Sequence, residues 1–157
     1  MFLLYIYIYV YIRMTKLYEL REYLKDTKND WNYITPTEFY SEYYIKDKNF
    51  VLIDLRKSED YDKFHIKKSI NIFWLDILKK ENLDKLPIDK IIFLICYVGH
   101  TSSQVMVLLK LLGYNVVSIK FGYGISPSFG VPVAGWLSYG FPVENLPLIT
   151  SECNSAY

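Results

Sequence analysis

The stretch IIFLICYVGHTSSQVMVLLKLLGY, residues 91 to 114, restricts the possible folds more than any other part of the chain. Ile91 to Ile95 is apolar without alternation and follows Asp89 and Lys90, which is the pattern of a strand buried on both faces of a parallel sheet. The apolar residues then return as Val105, Leu108, Leu109 and Leu112, spaced i, i+3, i+4 and i+7. That spacing predicts a helix of about three turns, with Ser102 or Ser103 as its N-cap and Gly113 as its stop. A strand feeding a helix through a short loop puts Cys96 at the carboxyl end of the strand. Open α/β sheets bind their ligands there.

The same punctuation repeats along the chain. FVLID at 50 to 54, SINIF at 69 to 73 and VVSI at 116 to 119 read as further buried strands, and a helix is predicted near Trp74 to Lys80. Thr35, Pro36 and Glu38 form a capping box that opens a helix through about Tyr43. Strands separated by helices make βαβ units, so the predicted class is α/β with a central, mainly parallel sheet flanked by helices. A chain of 157 residues with 52% hydrophobic content supports one such domain with a real core.

The loop after the central strand carries the chemistry. A cysteine becomes a nucleophile when its thiolate is favoured, and the unpaired N–H groups and positive dipole end of a helix favour it. Tyr97, Val98, Gly99, His100, Thr101 and Ser102 can supply such N–H groups if the loop curls its amides inward. An inward curl needs a residue tolerant of positive φ, and Gly99 is that residue. The alternative for Cys96 is an inert, buried thiol, since free cysteine is among the most buried residue types.

Composition removes several function classes. Eighteen Lys and Arg against seventeen Asp and Glu leave a formal charge of +1 without a basic block, so no nucleic-acid partner is expected. Two cysteines, Cys96 and Cys153, are too few for a disulfide scaffold and lack metal-ligand spacing with His65 or His100, so no metal and a reducing compartment are expected. The opening MFLLYIYIYVYIR is too short to span a bilayer and has neither the basic start nor the cleavage site of a signal peptide. Three readings of it stay open: a translated leader before a start at Met14, a membrane-associating or export segment, or an added strand. The expected organisation is therefore residues 1–13 as an apolar leader, 14–34 as a short helix and linker, 35–146 as the domain and 147–157 as a polar tail. The expected location is the cytoplasm, or a membrane or export route if residues 1–13 are a targeting segment.

Three ordered motifs resemble the rhodanese-like sulfurtransferases. DLRKSEDYDKFHIKKSINI at 54 to 72 is similar to that family's first signature through Asp54, Arg56, Glu59 to Tyr61, His65, Ile66, Asn71 and Ile72. CYVGHTS at 96 to 102 resembles the Cys-x-x-Gly-x-x-Ser loop of single-domain members, and GWLSYGFPV at 135 to 143 resembles the closing element. The resemblance implies a three-layer domain over roughly Thr35 to Glu144. It also implies Cys96 as the nucleophile that carries a persulfide, residues 97 to 102 as the substrate cradle, and Asp54, Arg56 and His65 in support. Asp54 and Arg56 are expected to form an ion pair bracing the site floor, and His65 to serve as a packed turn residue. The partners implied are small-molecule sulfur donors and acceptors, such as thiosulfate, cyanide and thiols, or a persulfide-carrying protein, with no cofactor. A non-catalytic binding or sulfur-sensing module on the same fold is the alternative. A cysteine phosphatase is set aside because its pattern needs an arginine six positions after the cysteine, where this chain has Ser102.

The departures from the family pattern are also informative. Glycines expected near the first signature are Phe64 and Lys68 here, so that turn is expected to be built differently. Many members carry a loop arginine where this chain has Thr101, which leaves backbone N–H groups, His100 and hydroxyls to recognise an anionic donor. The segment between Gly122 and Trp136 is long and rich in glycine and proline, and reads as an irregular loop. Cys153, in a polar tail, is either a bystander or a resolving thiol for Cys96.

Overall fold

The computed structural model describes residues 2–25, 32–125 and 133–145. It divides into two compact units, Met1–Tyr33 and Ile34–Tyr157. In the first, Phe2–Lys25 forms one helix, α1. The apolar opening is thus neither a strand nor separate from the helix expected after residue 14, because nothing between Phe2 and Lys25 interrupts it: the run contains no Gly and no Pro. Leu4, Ile6, Tyr7, Ile8 and Tyr11 are exposed on it. No helix among the described residues is long and apolar enough to cross a membrane.

A five-stranded sheet with strand order β1-β5-β4-β2-β3 organises the second unit, its first strand beginning at the boundary residue Tyr33. Its strands are β1 (Tyr33–Ile34), β2 (Phe50–Asp54), β3 (Ser69–Asn71), β4 (Ile91–Ile95) and β5 (Val116–Ile119). The pairs β2–β3, β2–β4 and β4–β5 are all parallel, with Leu52 opposite both Ser69 and Phe93, and Phe93 opposite Val117. The apolar runs read from the sequence are β2 to β5, with β3 ending at Asn71 rather than Phe73, whereas the two-residue β1 falls in the stretch expected to be linker.

Alternation divides the strand side chains between two faces. Leu52, Phe93, Ile95 and Ile119 pack with Phe39, Ile66, Tyr123 and Trp136 into one core cluster. On the opposite face lie Ile53, Ile92, Leu94, Val116 and Ser118, all buried. The helices of this unit are α2 (Pro36–Phe39), α3 (Ser58–Lys63), α4 (Lys80–Leu83) and α5 (His100–Leu111), of which α5 packs against β4 and β5 and buries Ser102, Val105, Met106 and Leu109. Elements on both faces of a parallel sheet give the three layers expected.

Local chemistry explains the ends of the elements. The capping box at Thr35 is formed as read, with Glu38 N bonded to Thr35 Oγ1 and the Glu38 carboxylate accepting from Thr35 N. The helix it opens, α2 (Pro36–Phe39), continues as a π-helical turn over Tyr40–Tyr44. Between Trp74 and Leu83 there is a 3₁₀ turn, Trp74–Asp76, and a short helix, Lys80–Leu83, in place of one continuous helix. At the far end of α5, Gly113 adopts φ +89°, with Gly113 N bonded to Lys110 O and Tyr114 N to Leu109 O. This is the Schellman stop that glycine supports.

Candidate active site

Strand β4 delivers Cys96 to the carboxyl edge of the sheet, and the chain then turns immediately into α5. Gly99 caps that helix at φ +95°, ψ −12°, the left-handed conformation read from the sequence. The helix therefore starts at His100, before Ser102 and Ser103, because a loop that folds its amides back on the sulfur leaves no residues for a separate serine cap. The two serines bond backwards instead: Ser102 Oγ and Ser103 Oγ lie 3.1 and 2.6 Å from Gly99 O.

The amides of Gly99 and Ser102 donate to Cys96 Sγ over 3.2 and 3.4 Å, and Ser102 Oγ lies 3.4 Å from the same sulfur. These donors aim at the place where a thiolate or bound anion carries its charge, as in an anion nest. Cys96 is only 1% exposed. Of the other cradle residues, Val98 and Thr101 are half-buried and His100 is exposed. Tyr97 reaches away from the sulfur, its hydroxyl donating to Asp60 Oδ2 at 2.6 Å. Burial first, then this bond to Asp60, pushes its phenol up to about 12.

Asp54 and Arg56 form the expected ion pair, fully buried, with Arg56 Nη2 2.7 Å from Asp54 Oδ2. Burial pulls the guanidinium's pKa down, but the Asp54 carboxylate outweighs it and holds Arg56 above its ordinary value. The pair is completed by Tyr123, whose hydroxyl donates to Asp54 Oδ2 at 2.9 Å and accepts from Ile66 N at 3.1 Å. The Arg56 guanidinium lies 3.8 Å from the centre of the Tyr123 ring and 4.6 Å from that of Phe64. Tyr123 N in turn donates to Cys96 O over 2.9 Å. The ion pair thus braces the cysteine backbone through a tyrosine that sequence reasoning left inside an irregular loop.

His65 stacks on Tyr61, with ring centroids 3.9 Å apart, and its Nε2 is 3.5 Å from Glu144. It is a packed turn residue. The turn beyond it keeps a left-handed residue at Lys68, φ +69°, so the conformation a glycine would take is retained by a lysine that also pairs with Asp47. Phe64, in extended backbone, contributes its ring to Arg56.

Two other glycines were missed in the sequence. A Cβ on Gly122 would stand 2.1 Å from Cys96 O, and one on Gly135 would stand 2.1 Å from Gly124 N. Only glycine lets these backbones pass so closely. The segment after β5 is therefore the floor of the cysteine loop where it is described; residues 126–132 of the long loop, and Cys153, lie outside the described residues. Among the described residues no cluster of His, Cys, Asp or Glu side chains gathers to hold a metal ion.

A parallel sheet that carries one cysteine into an amide-lined loop at a helix start defines a thiol-centred α/β domain. The profile of the rhodanese-like domain matches residues 35–124, more than half of the 157 residues, and the chain belongs to that family. No curated protein matches it. Among solved structures, the chain is similar to a rhodanese-related protein from Thermoplasma volcanium, at 25% identity over 73% of this chain and 98% of that one, with a TM-score of 0.58. It shares its fold with a rhodanese-like domain from Anabaena sp., at 19% identity over 80% and 89% of the two chains and a TM-score of 0.62. A rhodanese-like domain protein from Staphylococcus aureus has the same fold, at 22% identity over 65% and 97% and a TM-score of 0.55.

Proposed function

We propose that this protein is a sulfurtransferase that moves a sulfane sulfur from thiosulfate or a persulfide to a nucleophilic acceptor through Cys96. The observation that carries the reading is the pair of amides, Gly99 and Ser102, donating to Sγ. In the first step the Cys96 thiolate attacks the outer sulfur of thiosulfate. The donor S–S bond breaks and sulfite leaves with its electron pair, so that a Cys96 persulfide forms. An acceptor such as cyanide or a thiol then attacks the outer sulfur, and Cys96 leaves as a thiolate. The fixed amides stabilise the charge at each stage without having to reorganise. A thiol kept free suits a reducing compartment such as the cytoplasm. Donor and acceptor are both small molecules in this reading, or a protein that carries a persulfide.

The burial of the sulfur, 1% exposed, favours a second reading, a sulfur-binding or sensing module without turnover. One experiment separates the two. Incubation with thiosulfate should add one sulfur to the intact mass, and cyanide should remove it repeatedly with thiocyanate as product. Cys96→Ser should abolish the added mass and leave the circular dichroism spectrum unchanged, because oxygen is close in size and cannot carry the sulfur. Equal labelling of the variant would move the nucleophile to another residue, with Cys153 the first to examine. A stable adduct that cyanide does not turn over would favour the sensing module.

A further inference from the structure

Two serines behind the cysteine loop are completely enclosed: Ser118 on β5 and Ser102 on α5. A hydroxyl in an apolar strand is costly unless its hydrogen bonds are made. Ser118 Oγ donates to Ser102 Oγ over 2.9 Å. Ser102 Oγ in turn lies between two atoms, Gly99 O at 3.1 Å and Cys96 Sγ at 3.4 Å. The carbonyl of Gly99 is already served by Ser103, whose N–H and Oγ reach it at 3.1 and 2.6 Å. A carbonyl oxygen has two lone pairs, so the Ser102 proton is surplus there.

We propose that Ser118 is a positioning residue that frees the Ser102 hydroxyl to donate to the ionised sulfur of Cys96. While the thiol is protonated, S–H donates to Ser102 Oγ and the Ser102 proton points at Gly99 O. When the thiol loses its proton to water, the Ser102 O–H turns to the sulfur and Ser103 keeps the carbonyl satisfied. Ser118 donates to Ser102 Oγ in both states, so the turn leaves no buried polar atom unpaired and breaks no covalent bond. The ionised sulfur then has three donors, the amides of Gly99 and Ser102 and the Ser102 hydroxyl. The contribution of Ser118 to turnover rests on the sulfurtransferase reading; its effect on the sulfur does not.

The test uses the full chain at one fixed pH and reads two quantities. These are the rate at which iodoacetamide alkylates the Cys96 peptide, followed by mass, and kcat and KM for thiosulfate with cyanide. Ser118→Ala should slow alkylation about tenfold, the size of one hydrogen bond to a charged group, and lower kcat with KM kept. Ser118→Thr, which keeps the hydroxyl in a strand suited to β-branched residues, should restore most of the rate. In a Ser102→Ala background, Ser118→Ala should add nothing, since its effect passes through that hydroxyl. The proposal is overturned if Ser118→Ala alkylates like the unmodified chain, if Thr fails to restore the rate, or if the loss persists without Ser102. If the alkylation pattern holds while the unmodified chain takes no sulfur from thiosulfate, the relay stands and the sulfurtransferase reading falls.

Discussion

Thr101 lies in the first turn of α5, two residues past the capping Gly99, and brings no fixed charge to the loop. The sulfur is served by amides and a hydroxyl, so an anionic donor is expected to bind weakly. Thr101→Arg should lower KM for thiosulfate by about tenfold and leave KM for an uncharged sulfane donor unchanged, because the new cation meets only the anion. Steady-state kinetics with both donors check this. Tyr97 makes a second prediction. Its phenol is pushed up to about 12, above a usual value of 10.0, so the fold favours the neutral form. That stabilisation is complete below the unfolded value near 10 and is lost as pH rises through about 12. Tyr97→Phe should flatten the fall in urea midpoint across this window. Cys96, Gly99 and the Asp54–Arg56 pair were legible because each belongs to a short, ordered pattern. Tyr123 was not, because its partners Asp54, Arg56 and Ile66 are far away in sequence and only the fold brings them to it.

Strands β2 to β5 were legible as apolar runs, since a parallel sheet covered on both faces needs side chains that are apolar on both, whereas the two residues of β1 were too few to show a pattern. The ends of the helices were less so. At the start of α5 the demand for a left-handed cap outweighed serine's preference for that place, and Gly99→Val tests the demand. Its φ of +95° is poorly suited to a β-branched residue, and a Cβ there would come within 3.1 Å of Phe121 N. The variant should lose about 1–3 kcal/mol of stability and at least most of its persulfide formation. Denaturant melts and intact mass would check the two effects separately. Lys68 presents the reverse case, a side chain in a conformation glycine prefers. Its pair with Asp47 is exposed and contributes little, so Lys68→Gly should stabilise the domain by about 1 kcal/mol, seen as a higher urea midpoint. Sequence reasoning expected a different turn at that place; the chain keeps the conformation and bears the strain.

The α/β class was readable from the order of strands and helices, whereas the extent of α1 was not. Residues 2 to 12 are apolar on every side, and an all-apolar run offers no periodicity from which to tell helix from strand. The closing element was visible as a motif, but its contacts were not. Trp136 is fully buried among Phe39, Tyr40, Tyr44 and Phe141, and Glu144 pairs backbone to backbone with His65. The parallel pairing carries a consequence for synthesis. Parallel neighbours cannot be joined by a hairpin, and β2 finds its second partner only when Phe50 meets Ile91. A chain leaving the ribosome therefore exposes β2 and β3 without a central strand until β4 has emerged, and the core stays open until Trp136 follows. During that interval bare strand edges are available to neighbouring chains, so nascent copies depend on chaperone cover more than a helical protein of this length would.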